Sequence, residues 1–131
     1  MLKKAFLVGL LLAAVAPPTI SYAHHSFAAF FTSDRTVKVT GRVTSFRFQN
    51  PHGTIALEVR GPDGSVQEWR AETNAPAVLQ RRGWNRNTIR AGDVITIEGW
   101  PARDGKPYLR LRQAFDETGN RIGEAPFDMS N

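Results

Sequence analysis

The chain has no cysteine, which excludes a disulfide-stabilised scaffold, a thiolate metal centre and a cysteine nucleophile. It also lacks the G-x-S-x-G elbow, the Walker loop and the H-E-x-x-H helix that mark common enzyme classes. Its acidic residues fall mostly in turns or alternate along predicted strands, so no acid/base group is recognisable. We therefore expect a protein that is not an enzyme and that has no catalytic residues.

No apolar run reaches the roughly 20 residues that cross a bilayer core. The longest, Ala5–Ala16, follows Lys3 and Lys4 and precedes small residues at Ser21 and Ala23. This is the pattern of a secretory signal peptide, so residues 1–23 are predicted to be removed after Ala23. We expect the product to be periplasmic or secreted, with no membrane association after cleavage. A lipoprotein is excluded because no cysteine follows the cut.

The charge of the processed chain is only modestly basic. Loss of Lys3 and Lys4 leaves 15 basic and 12 acidic side chains, a formal charge of +3. A net charge of +3 is too small for strong binding to the phosphate backbone of a nucleic acid, and nucleic acid is scarce outside the cytoplasm. We therefore expect no nucleic-acid partner.

Alternating apolar and polar residues predict five β-strands, at residues 35–48, 55–59, 65–72, 94–99 and 108–115. The apolar parity shifts between Val43 and Phe46, which predicts a β-bulge in the first strand. One short helix is predicted between strands three and four. Asn74 is its expected N-cap, Pro76 lies in its first turn, and Gly83 ends it.

The order of three strands, a helix and two strands is typical of the OB fold, a five-stranded Greek-key barrel. We therefore predict an all-β, OB-like barrel at residues 35–115, preceded by an N-terminal segment, 24–34, and followed by an irregular tail, 116–131. A five-stranded sandwich or an SH3-like barrel is the alternative, since element order does not fix strand pairing. Core or half-buried packing is expected for at least two of the three tryptophans.

Cleavage after Ala23 would make His24 the first residue, with His25 next to it. A terminal histidine can chelate a metal through its α-amino nitrogen and ring Nδ1, and a further imidazole completes a histidine brace, which suits Cu(II). The remaining histidine, His52, lies in the loop between the first two strands. If phenylalanines 27, 30 and 31 hold the N-terminal segment across the barrel mouth, the imidazoles converge. A copper site of His24, His25 and His52 is therefore predicted, the alternative being an untethered terminus.

A second candidate site follows from the fold. OB barrels bind ligands across strands two and three and between the loops that follow strands one and four. This surface would carry Trp69, Arg70, Lys106 and Tyr108. Aromatic and basic side chains together suit an anionic oligosaccharide or an envelope protein. Two alternatives to copper therefore stay open: an oligosaccharide-binding domain, and a structural or protein-interaction module without metal.

Several short motifs lie along the chain: AHHSF at 23–27, GxV at 41–43, NPH at 50–52, LxxxGW at 79–84, GDxI at 92–95 and EG at 98–99. Together they resemble a family of small exported bacterial proteins of unknown function, over nearly the whole processed chain. The resemblance implies an OB-like barrel and no particular activity. It also implies that the three histidines are a family feature, which favours metal binding. Gly53 departs from the pattern, where a larger residue is typical, and predicts a looser loop around His52.

Overall fold

The computed structural model describes residues 27–129, so the predicted signal peptide, His24 and His25 lie outside the described part. Residues 27–30 form one helical turn. The remaining elements are six strands and one helix: β1 Val37–Arg47, β2 Thr54–Arg60, β3 Val66–Glu72, α1 Pro76–Arg81, β4 Val94–Pro101, β5 Tyr108–Phe115 and β6 Arg121–Ile122.

The sheet order is β3-β2-β1-β4-β5-β6, and a further pairing of β3 with β5 closes the first five strands into a barrel. All neighbours are antiparallel except β3 and β5, which run parallel. This is the OB fold, with α1 between β3 and β4. The predicted five-stranded OB-like barrel is confirmed. The parallel seam consists of three residue pairs: Arg70–Tyr108, Ala71–Leu109 and Glu72–Arg110.

The long first strand serves two neighbours. Residues Val37–Arg42 pair with β4, and Arg42–Arg47 pair with β2. The register against β2 shifts between Val43 and Ser45, which confirms the predicted bulge. A bulge increases local twist and bends the strand, and this allows β1 to curl from one side of the barrel to the other.

The core is lined by inward-facing side chains of the strands, by residues of the segment that follows β3, and by one phenylalanine of the C-terminal tail. It comprises Val43, Ile55, Leu57, Ala71, Leu79, Trp84, Ile89, Ile95, Ile97, Leu109, Leu111, Ala114 and Phe127. Trp84 and Trp100 are buried, whereas Trp69 is half-buried. All three tryptophans are thus buried or half-buried, which meets the expectation from sequence.

The start of α1 differs from the prediction. Ala75, not Asn74, is the N-cap residue, and no side chain caps the helix. Asn74 lies one residue before the N-cap and is fully buried. Pro76 begins the helix, and its missing N–H removes one donor that would otherwise need a partner. Gly83 follows the helix with φ +80, as predicted for the stop.

The tail after β5 is more ordered than predicted. Asp116 Oδ1 accepts hydrogen bonds from the backbone N–H groups of Thr118 and Asn120, and this turn leads into β6, which pairs with β5. Phe127 is buried against Trp84, with ring centroids 5.9 Å apart. A two-residue strand is too short to produce a recognisable alternation, which explains why the sequence pattern did not predict it.

Candidate functional site

The strand register aligns outward-facing side chains into rows across β1, β2, β3 and β5. One row is Arg47, Thr54, Glu72 and Arg110, and the next is Ser45, Ala56, Arg70 and Tyr108. Ala56 has the smallest side chain of its row and lies at the floor of a groove of about 220 Å³ between β1 and β3. The rows therefore form one polar surface on the outside of the barrel.

His52 lies at the edge of this surface, after a cis Asn50–Pro51 peptide bond. Its Nδ1 is 3.2 Å from the Thr73 carbonyl oxygen and 3.2 Å from Arg110 Nη1. A guanidinium only donates, so Nδ1 serves one of these partners at a time. When Nδ1 carries the proton it donates to Thr73, and Nε2 keeps a free lone pair. The side chain is 42% exposed, which leaves this face of the ring accessible.

Glu72 is the centre of the hydrogen-bond network beside His52. Its Oε1 accepts a hydrogen bond of 2.6 Å from Arg110 Nη1, and its Oε2 accepts one of 2.6 Å from the Tyr108 hydroxyl. The Arg110 side chain is only 6% exposed, and Glu72 Oε1 lies 3.9 Å from His52 Nε2. A buried ion pair fixes geometry, since loss of either partner leaves an uncompensated charge. Glu72 therefore positions Arg110 and Tyr108 and presents negative charge to His52.

Burial, together with the hydrogen bond to the Glu72 carboxylate, raises the pKa of Tyr108 well above its ordinary value of 10.0. Tyr108 is the only tyrosine of a chain processed after Ala23. Its phenolate absorbance should therefore appear only well above that value in the folded protein. Because the folded-state pKa is raised, the stabilising contribution is present below about pH 10 and is lost as pH rises through the folded pKa.

An alkaline titration followed by ultraviolet absorbance measures this midpoint directly. Glu72→Gln is the matched variant, because it keeps the shape of the side chain and removes its charge. The midpoint of Tyr108 should fall in that variant. A folded protein that titrates at the ordinary tyrosine value would contradict the predicted environment.

The N-terminal segment packs on an aromatic surface next to this network. Phe27 meets Trp100 edge to face with centroids 5.6 Å apart, and Phe31 lies 5.3 Å from the ring of Tyr108. Phe30 is 64% exposed, so it does not share the predicted role of holding the segment. Two of the three phenylalanines therefore attach the segment to the outer face of the barrel.

Backbone bonds reinforce this attachment. Phe31 forms an isolated antiparallel bridge with Ala102. Thr32 N–H donates to the Pro101 carbonyl at 3.0 Å, and Arg103 N–H donates to the Phe30 carbonyl at 2.9 Å. The segment is thus joined to the end of β4 and to the loop that follows it.

The four residues predicted to bind a ligand are not all brought together. Arg70 and Tyr108 are neighbours across the β3–β5 seam. Trp69 lies on the opposite face of β3, against the core, because successive side chains of a strand alternate. Lys106 lies on the exposed β4–β5 turn, where its Nζ is 3.1 Å from Asp104 Oδ2. Only two of the four belong to the polar surface.

The sequence pattern missed Glu72, although its parity on the third strand matches that of Arg70. Its role depends on the register with β5, which no local pattern specifies. Gly53 also differs from the prediction of a looser loop. It is buried, and a Cβ there would lie 2.6 Å from both the Arg47 carbonyl oxygen and Thr73 Oγ1. The glycine allows a close approach that fixes the loop beside His52.

Residues 27–129 contain no group of three or more His, Cys, Asp or Glu side chains that could hold a metal ion. Two of the three predicted copper ligands, His24 and His25, lie outside this range. In the same part of the chain, no helix is long and apolar enough to cross a membrane.

Comparison with curated proteins gave no match. Among solved structures, the mitochondrial single-stranded DNA-binding protein of S. cerevisiae matches with 13% identity and a TM-score of 0.49, over 66% of this chain and 94% of that one. A small single-stranded DNA-binding protein from Streptomyces coelicolor matches with 13% identity and a TM-score of 0.41, over 66% and 94%. The N-terminal domain of PriB from Thermoanaerobacter tencongensis matches with 17% identity and a TM-score of 0.40, over 62% and 93%.

A family model matches residues 11–109, which is most of the chain, and its description is a family of unknown function. This confirms the expected membership of a family of unknown function. By this match, the chain belongs to the family of unknown function DUF6152.

Proposed function

We propose that this protein is an exported, non-enzymatic binding protein that holds Cu(II) at its processed N-terminus. The α-amino nitrogen and Nδ1 of His24 would provide two ligands, His52 a third, and His25 a further imidazole. One observation carries the proposal: Phe27, three residues after His24, packs on Trp100 at the outer face where His52 lies.

The reach of the chain supports convergence. Trp100 and Arg110 are cross-strand partners, and Arg110 Nη1 lies 3.2 Å from His52 Nδ1. Phe27 contacts Trp100, His52 contacts Arg110, and these two contacted residues are neighbours across the β4–β5 pair. Three extended residues span at most about 10 Å, which is the distance available between His24 and the anchored Phe27. Anchoring by Phe27 and Phe31 lowers the entropy that a free terminus would lose on binding.

His52 has the surroundings of a metal-ligating imidazole. Such a histidine commonly donates its second ring N–H to a backbone carbonyl, which fixes the tautomer and the ring orientation. The Thr73 carbonyl fills this role for Nδ1, and Nε2 is then the ligating atom. Glu72 places a carboxylate 3.9 Å from Nε2, which offsets the positive charge of Arg110 near a bound cation.

Nitrogen donors in a tetragonal arrangement suit Cu(II), which also heads the divalent metals in affinity for such sites. Copper titration of a chain beginning at His24 tests the proposal. His24→Ala, or one extra alanine before His24, should weaken affinity by more than about 100-fold, since loss of an outer-shell partner alone costs roughly 10 to 100-fold. His52→Ala should weaken it as well.

The extended chain is the matched control, because it keeps all three imidazoles and lacks only the free amine at His24. Equal affinities in the processed chain, the extended chain and His24→Ala would contradict the proposal. Mass spectrometry of the exported protein should find His24 as the first residue. A different first residue would end the proposed chelate.

An anionic saccharide is the second candidate ligand, and the groove at Ala56 favours it. Three hydroxyl side chains and two arginines line this groove, with one glutamate: Thr44, Ser45, Arg47, Thr54, Glu68 and Arg70. Hydroxyl and guanidinium groups suit the hydroxyls and carboxylates of such a ligand. Binding there would not depend on His24, which separates this candidate from the copper site.

A further inference from the structure

The stretch from residue 73 to residue 92 contains four arginines and neither aspartate nor glutamate. The four are Arg81, Arg82, Arg86 and Arg90. They lie at the end of α1 and in the turns between α1 and β4. Thr73, at the start of this stretch, has its carbonyl oxygen 3.2 Å from His52 Nδ1, but none of the four arginines takes part in the proposed copper site.

Buried residues fix the segment at regular intervals. Leu79, Trp84 and Ile89 are each at most 2% exposed, and they are five residues apart. Three of the arginines fall between these anchors and Arg90 follows the last of them; Arg82 is half-buried and the other three are exposed. Trp84 also contacts the rings of Phe46 and Phe127. The backbone that carries the four guanidinium groups is therefore held in place by the core.

The four guanidinium groups lack a partner in the described part of the chain. Within residues 27–129, none of them makes an ion pair or a side-chain hydrogen bond, whereas Arg60, Arg70, Arg110 and Arg112 each pair with a glutamate. Carboxylates do lie near the segment. Asp93 accepts a hydrogen bond from the backbone N–H of Arg90, Glu124 lies against Gly83, and Asp116 and Glu117 line a groove together with Thr88 and Gly92. Within residues 27–129, none of these carboxylates forms an ion pair with one of the four arginines.

The side chains of the segment favour a phospholipid layer over single-stranded nucleic acid as the polyanion that it binds. Guanidinium groups bind phosphates in a bidentate manner. The only aromatic residue between 73 and 92 is Trp84, which is buried, so the segment offers no stacking platform for single-stranded nucleic acid. Four guanidinium groups carried by one short segment match the repeated phosphates of a lipid layer, where each basic side chain adds to the attraction.

We propose that Arg81, Arg82, Arg86 and Arg90 form a docking surface for an anionic phospholipid bilayer. The contact is peripheral and electrostatic. It therefore revises the expectation of no membrane association, which was based on the lack of an apolar anchor.

Sedimentation with vesicles tests this inference on the processed chain. Vesicles of phosphatidylglycerol and phosphatidylcholine should retain the protein at low salt and release it at high salt, and phosphatidylcholine alone should not retain it. The variant R81Q/R82Q/R86Q/R90Q should bind at least about tenfold more weakly. The control R35Q/K38Q/R60Q/K106Q removes the same charge from exposed positions elsewhere, and should bind like the parent protein.

Equal weakening in both variants would overturn the proposal, because binding would then follow net charge. Absence of vesicle binding by the parent protein would overturn it too, whether or not the protein binds a single-stranded oligonucleotide. If the fourfold variant does not fold, R86Q/R90Q changes only two exposed side chains and should show a smaller loss of binding. No loss in that folded variant would also contradict the proposed surface.

Discussion

Trp84→Ala should lower the free energy of unfolding by about 3–5 kcal/mol, a large part of the roughly 5–15 kcal/mol that stabilises a domain. Trp84 is 2% exposed, and its ring centroid lies 6.1 Å from that of Phe46 and 5.9 Å from that of Phe127. It therefore joins three separate parts of the chain: β1, the segment after α1, and the tail. Truncation would leave a cavity at the point where they meet.

Trp69→Ala is the matched variant, since it deletes the same atoms from a different environment. Trp69 is half-buried, and its Nε1 donates to Gln67 Oε1 at 3.1 Å. Less apolar surface is removed from the interior, so we expect about half the loss. Urea unfolding of both variants measures the difference. Equal losses would contradict the deeper burial of Trp84.

Gly99→Ala should destabilise the protein by about 3 kcal/mol or more, at the upper end of the cost of overpacking. Gly99 lies in β4, between β1 and β5 of the sheet, and pairs with Val37 on one side and with Leu111 on the other. A Cβ at this position would overlap the Arg110 carbonyl oxygen and lie 2.7 Å from Leu109 Cδ1. Backbone cannot move aside as a side chain can, so β4 and β5 would have to separate.

Gly64→Ala is the matched control, because it replaces a glycine where an added Cβ meets no other atom. Gly64 lies in the exposed β2–β3 turn with φ +81, and a Cβ added there would have no other atom within 4 Å. Only the unfavourable left-handed conformation of alanine contributes at this position, about 1 kcal/mol. Thermal unfolding of the two variants should therefore differ clearly. Similar losses would contradict close strand contact at Gly99.

The fold could be predicted because its strands alternate strongly and its turns carry glycine, proline and aspartate. The order of elements then pointed to the OB topology, and the parity shift after Val43 located the bulge in β1. The helix start was missed because Asn74 is a common N-cap residue by type, yet here it is buried. β6 was missed because two residues carry no periodicity.

The candidate site could be predicted only in part, because it depends on pairing between distant strands. His52 was recognised from its loop, and Arg70 and Tyr108 from the expected binding face. Glu72 and Arg110 meet only through the parallel β3–β5 register, which alternation within either strand does not specify. Trp69 was placed beside Arg70 in sequence, and the pleat of the strand put the two on opposite faces.

The parallel seam has a consequence for how binding and folding are coupled. Only three residue pairs close the barrel there, and two of them, Arg70–Tyr108 and Glu72–Arg110, bear side chains of the polar surface. Parting the two strands would also pull Glu72 from Tyr108 and Arg110. A ligand held by both strands would stabilise the closed barrel, and the melting temperature would rise with the logarithm of the ligand concentration once that concentration exceeds the Kd.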